Sequence, residues 1–144
     1  MQALPHHYEV QAKGEPEGDI LVESRGLPDL NTAAPAHFDG PGDKWSPEHL
    51  LTAAVANCFI LTFRALARGF KLEWKSLQVE TEGTLDKVEK QMRFTGFQIK
   101  ARLAVPAGTD PDKARRILEK AEQGCLITNS LACDSHLHAE VTEK

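Results

Sequence analysis

Cysteine is scarce in this chain and its number is odd: Cys58, Cys125 and Cys133 are the only three among 144 residues. A small odd set argues against a framework of structural disulfides and leaves transient thiol chemistry as the use to consider. No secretory leader is expected, because the opening MQALPHHYEV has neither a basic n-region nor an apolar core. Positive charge is also short. There are 17 Lys and Arg against 21 Asp and Glu, a net charge of −4, and the one basic cluster is Lys113, Arg115 and Arg116. That balance argues against nucleic acid as a partner. The longest apolar run, residues 50–63, falls short of the ~20 residues a bilayer span requires. The expectation is a cytoplasmic protein with small-molecule or protein partners. It folds as a single domain, 1–144, since a chain of this size buries roughly 70% of its unfolded surface.

What the sequence does have is one dominant stretch, KWSPEHLLTAAVANCFILTFRALARG, residues 44–69. Ser46 is placed as an N-cap, Pro47 takes the first helical position, Glu48 lies beside the positive dipole end, and Gly69 reads as the C′ residue. Only Thr52, Asn57 and Thr62 interrupt the apolar run from 50 to 63, so the helix is predicted to be buried nearly all round.

Around it the pattern predicts strands at 5–13 and 18–26 joined by GEPEG, and a Pro- and Gly-rich loop over 27–44 holding one short strand near 30–34. Strands follow at 72–84 and 92–105, with LDKVEKQ as the loop between them and Gly96 marking a bulge or a close backbone approach. A second helix starts at Asp110 and Pro111, stops at Gly124, and turns Ala114, Ile117, Leu118 and Ala121 to the core. A short helix over 126–131 and an alternating strand, DSHLHAEVTEK, complete the chain. The fold class is α+β, with antiparallel sheets packed on a long buried central helix and a second helix.

Cys58 sits in the middle of the apolar helix, where a cysteine is most often a small hydrophobe. Cys125 directly follows the Gly124 break, at the first turn of the short helix, where the dipole and free N–H groups favour a thiolate. Cys133 has nothing nearby in sequence to lower its pKa and reads as a packing residue.

WSPEHLLTAAVANC followed by GC-x-x-x-NSL resembles the OsmC/Ohr family, the osmotically inducible and organic-hydroperoxide-resistance proteins. The resemblance covers essentially the whole chain and is carried by Pro47, Glu48, Leu50, Cys58 and Cys125. It implies an intertwined homodimer of OsmC-like domains that reduces organic hydroperoxides to alcohols, a stress-response activity. Cys58 is then the nucleophile, Cys125 resolves its sulfenic acid, Glu48 and Arg25 serve the site, and an external dithiol resets it with no bound cofactor. Glu48 lies ten residues before Cys58, about 15 Å along a straight helix, so it would act on the partner's site. Departures from the family pattern are Leu126, where proline usually follows the second cysteine, and Asn57, where a small residue is usual.

In such an apolar helix desolvation opposes the thiolate, so the chemistry calls for a neighbouring positive group. Leu51, Ala54, Val55, Leu61 and Thr62 would shape a pocket for hydrophobic peroxides, or simply a core. Two other readings stand beside the peroxidase: a zinc site built from His136 and His138 with Cys133, Asp134, His6 and His7, and a thiol-bearing small-molecule binding or redox-responsive protein without peroxidase activity.

Overall fold

Alternation in the first third of the chain yields only short strands, because each can pair no further than its neighbour reaches. In the computed structural model, which describes residues 1–144, these lie in a unit formed by Met1–Leu50; Leu51–Lys144 form the second unit. In the first, β1 (Gln11–Lys13), β2 (Ile20–Glu23) and β3 (Leu30–Thr32) make an antiparallel sheet in the order β1-β2-β3. The strand expected over 5–13 is cut to its last three residues, paired from Gln11 with Glu23 to Lys13 with Leu21. The loop after β3 includes a single 3-10 turn, Ala36–Phe38, and returns to the sheet where the Ala33 N–H donates to the Trp45 carbonyl at 3.0 Å.

Helix α1 (Pro47–Gly69) begins as its sequence dictates. Fully buried Ser46 accepts the His49 N–H on its Oγ at 3.1 Å, and the same oxygen meets His49 Nδ1 at 2.6 Å. The far end differs from expectation. Gly69 is the last helical residue, and the left-handed C′ position belongs to Lys71 at φ 56°. The N–H of Leu72 bonds the Ala67 carbonyl at 2.8 Å and that of Lys71 bonds Arg68 at 3.2 Å, the paired bonds of a Schellman ending. Leu72 and Ala67 are both buried, and that burial holds a lysine where glycine is usual.

The second unit contains β4 (Ser76–Val88), β5 (Gln91–Val105), α2 (Pro111–Gln123), α3 (Leu126–Asn129) and β6 (Asp134–Glu143). LDKVEKQ is not a loop: Leu85–Val88 extend β4, and the hairpin turns on Glu89 and Lys90 alone, both with positive φ. Gly96 marks the predicted bulge, for Thr84 pairs with Gly96 and Leu85 with Phe94, leaving Thr95 unopposed. The sheet order is β4-β5-β6, and here the all-antiparallel expectation is corrected: β6 runs parallel to β5, from Gly96 beside Asp134 to Val105 beside Glu143. Helices α2 and α3 carry the chain back across the sheet between these strands, the connection a parallel pair requires.

Every fourth residue of α1 from Val55, namely Phe59, Phe63 and Ala67, is fully buried in a core with Phe97, Ile99 and Leu103 of β5 and Ile117 and Leu118 of α2. Trp74 adds an edge-to-face contact with Phe63 at 5.4 Å. By length and composition α1 could cross a membrane, but this stripe packs on the protein's own sheet. Burial all round, however, is not what forms. Cys58 and Ala54 are half-buried, Leu61 is 50% exposed, and Arg64, Ala65 and Arg68 are open to solvent. One sheet and one helix can cover only one side of an all-apolar cylinder.

Candidate active site

Two helix breaks bring the cysteines together. On α2, Asp110 accepts the Asp112 N–H at 2.9 Å as N-cap, Pro111 follows, and the helix ends at Gly124, whose N–H bonds the Lys120 carbonyl at 2.9 Å. A Cβ at Gly124 would stand 3.2 Å from that carbonyl, tighter than side chains usually come, and at an ordinary 3.8 Å from the Thr62 methyl of α1, so the glycine eases the end of α2. Cys125 is then the N-cap of α3, extended at φ −68° and ψ 111°, and fully buried.

The sulfur of Cys58, half-buried on α1, lies in hydrogen-bonding contact with the Cys125 thiol and 3.8 Å from Thr62 Oγ1. Burial opposes its ionisation. The N–H of Ile127, the Cys125 thiol, Thr62 and the N–H of Leu126 outweigh that penalty, and its pKa falls below the usual thiol range. Cys125 goes the other way: burial raises its pKa, helped by the adjoining Cys58, against the opposing pull of Thr128. The expectation that the first turn of α3 would ionise Cys125 is therefore corrected. A residue at the N-cap cannot face the N–H groups ahead of it as directly as a sulfur delivered from another helix, and Leu126 and Ile127 aim theirs at Cys58. The pair is divided into a sulfur whose ionisation is favoured and one that holds its proton.

No guanidinium is among the groups that act on Cys58; backbone N–H groups fill that role in this unit. Arg64 and Arg68 point to solvent from the last turns of α1. Arg25 lies in the first unit, in the turn after β2, where with Glu9, Gln11, Ser24 and Asp29 it borders a cavity of about 410 Å³. Glu48 is half-buried in the first turn of α1. Among the expected pocket residues, Val55 faces the core instead, while Leu51, Ala54 and Leu61 share the half-open side with Cys58. Leu126, beside Cys125, is 66% exposed.

The zinc reading fails on geometry. His136 and His138 both sit on the exposed side of β6, His138 Nε2 is 3.1 Å from Gln98 Oε1, and nowhere do three His, Cys, Asp or Glu side chains gather as a metal would require. Cys133 packs against the core, as its sequence context implies.

The OsmC-like protein model matches residues 40–140, a span that holds both cysteines and the elements that join them. The chain belongs to the OsmC-like family. It is 30% identical over 146 residues to the uncharacterized protein YmaD of Bacillus subtilis, covering 96% of this chain and 95% of that one. The organic hydroperoxide resistance protein of Xanthomonas axonopodis pv. citri is 30% identical over 83% of this chain and 82% of its own, and peroxiredoxin OsmC of Escherichia coli is 27% identical over 82% and 81%. An OsmC-like protein of unknown function from Vibrio cholerae shares the fold at a TM-score of 0.84, with 16% identity over 96% of this chain and all of that one. Membership in the OsmC-like family, with relatives so named, supports a peroxide-related role for the protein.

Proposed function

We propose that the protein is a cysteine-based peroxidase that reduces hydrophobic organic hydroperoxides to alcohols. The observation that carries this reading is the contact of a lowered-pKa Cys58 with a raised-pKa Cys125. The Cys58 thiolate attacks the outer oxygen of R–O–O–H; the O–O bond breaks, the alkoxide leaves and takes a proton as R–OH, and Cys58 becomes a sulfenic acid. The Leu126 and Ile127 N–H groups hold the charge on sulfur until the attack, in the role otherwise played by a cation. Cys125 then displaces hydroxide from the sulfenic sulfur, forming the Cys58–Cys125 disulfide and releasing water. An external dithiol returns both to thiols, and no other cofactor enters, which suits the reducing cytoplasm. Half-open Leu51, Ala54 and Leu61 favour an apolar R group and a second copy of the chain alike. In an intertwined homodimer, Arg25 and Glu48 would serve the sulfur of the partner subunit, Arg25 stabilising the thiolate and the developing alkoxide.

The test is dithiol oxidation driven by cumene or tert-butyl hydroperoxide. Turnover is expected to vanish in Cys58→Ser, and Cys125→Ser is expected to accumulate a sulfenic acid that dimedone traps. Turnover that survives Cys58→Ser would sink the reading.

A second reading, a small-molecule binding or redox-responsive protein without peroxidase activity, draws support from the lack of a guanidinium among the groups acting on Cys58. It predicts no hydroperoxide-driven turnover and a ligand retained beside Leu61 and Leu126.

A further inference from the structure

Only three polar residues of the chain are buried: Thr32, Ser46 and Thr128. Thr32 reaches the Ile20 carbonyl at 3.5 Å, and Ser46 caps α1. Thr128 has a different neighbour. It is the third residue of α3 beyond Cys125, and its hydroxyl donates to the Cys125 carbonyl at 3.1 Å. A hydroxyl spent on the carbonyl of the residue whose sulfur also lies within its reach can serve either acceptor, but only one at a time. While Cys125 is a thiol the carbonyl is the better acceptor, and the Thr128 hydroxyl donates to it although the Cys125 sulfur stands within reach of the same hydroxyl and of the Thr128 N–H. Once that sulfur carries charge the preference reverses, since a hydrogen bond to an ionised acceptor is roughly twice as strong.

We infer that Thr128 is the positioning residue of the resolving half-reaction, its hydroxyl turning from the Cys125 carbonyl to the Cys125 sulfur as that thiol gives up its proton. The inference rests on the proposed roles of the two cysteines, and it adds a residue that has no part in the attack on peroxide. In the step it serves, the Cys125 S–H bond breaks, its sulfur electron pair forms the bond to Cys58, and the Cys58 sulfur–oxygen bond breaks. The hydroxide leaves with the proton as water. Burial holds Cys125 protonated, so the barrier to this step includes generating its thiolate, and the N–H and hydroxyl of Thr128 both favour that charge. The charge acting on Cys125 is that of Cys58, which sulfenic acid formation removes; the Glu122 carboxylate three residues earlier accepts the Ser135 hydroxyl at 2.7 Å. With those charges neutralised or engaged, the threonine is the local control on the resolving thiol.

Ellman's reagent reads this step without peroxide. In a Cys133→Ser background the Cys58 thiolate attacks the aryl disulfide and releases one thionitrobenzoate; Cys125 then attacks the mixed disulfide and releases the second. Thr128→Val keeps the shape and removes the hydroxyl, and Thr128→Ser restores it; circular dichroism checks that both fold. Expected is a second release slowed about tenfold in Thr128→Val, with its pH midpoint moved upward and both effects reversed in Thr128→Ser, while the first release is unchanged. Equal second-release rates and midpoints in Thr128→Val and its background would overturn the inference, and so would a background protein that releases a single equivalent. Turnover of cumene hydroperoxide is measured separately, so a protein that fails as a peroxidase still returns these rates.

Discussion

The backbone N–H of Ile127 donates to the sulfur of Cys58, joining the first turn of a four-residue helix to the middle of a 23-residue one. Of the groups that favour the Cys58 thiolate, this one acts most strongly. The ionisation of Cys58 is thus favoured by backbone that Cys125 itself anchors.

The two cysteines should titrate on opposite sides of the ordinary thiol value. Alkylation by iodoacetamide, followed by mass mapping against pH, is expected to give Cys58 a midpoint below that value and Cys125 one above it. The sign for stability follows. The lowered pKa of Cys58 contributes stability that is present above the unfolded pKa and lost as pH falls through the folded one. The raised pKa of Cys125 contributes stability that is present below its unfolded pKa and lost as pH rises through the folded one.

Leu126→Pro removes one of the two N–H donors to Cys58 at little structural cost. Leu126 is the first residue of α3, where proline is tolerated, and the preceding Cys125 already has the extended backbone that proline demands. The variant is expected to raise the Cys58 midpoint and slow its alkylation at pH 7 several-fold, with unfolding by urea little changed. An unmoved midpoint would leave Ile127 and the Cys125 thiol as sufficient donors.

Gly83 on β4 faces a crowded wall. An added Cβ would stand 2.7 Å from the Phe97 ring and 3.0 Å from both the Phe94 ring and Thr52 Oγ1. Gly83→Ala is therefore expected to destabilise the fold by about 1–3 kcal/mol through overpacking, read from the urea midpoint. Phe59→Ala, which empties a fully buried site between α1 and the sheet, is expected to cost about 3–5 kcal/mol.

Arg25→Gln tests the proposed contribution of the first unit. Under the peroxidase reading it lowers turnover and raises the Cys58 midpoint in the assembled protein, while sedimentation shows the assembly unchanged. Equal midpoints and equal turnover would remove Arg25 from the site.

Much of this fold can be read from local signals. Ser46 and Pro47 announce α1, Asp110 and Pro111 announce α2, and the buried face of α2 is the one its spacing predicts. Signals that depend on strand direction or on distant chain cannot be read that way. Alternation in 134–143 is the same for a parallel or an antiparallel partner, so the pairing of β6 with β5 was hidden. Glu89 and Lys90 carry positive φ without the glycine or asparagine that marks such turns, and Lys71 ends α1 by virtue of what Leu72 buries. At the site, the two cysteines and the start of a helix at Leu126 were visible; that the N–H groups of this helix serve Cys58 was not, because 67 residues separate Cys58 from Leu126. The Gly124 break, directly before a cysteine and a new helix, was the one clue to a backbone site there.

The central claim is that Cys58 and Cys125 form one redox pair, and its most direct test is oxidation by a single equivalent of cumene hydroperoxide followed by non-reducing peptide mapping. The account predicts a Cys58–Cys125 disulfide with Cys133 left as a thiol and one equivalent of cumyl alcohol released. Disulfides that join Cys133, or a protein that leaves the hydroperoxide intact with both thiols free, would contradict it.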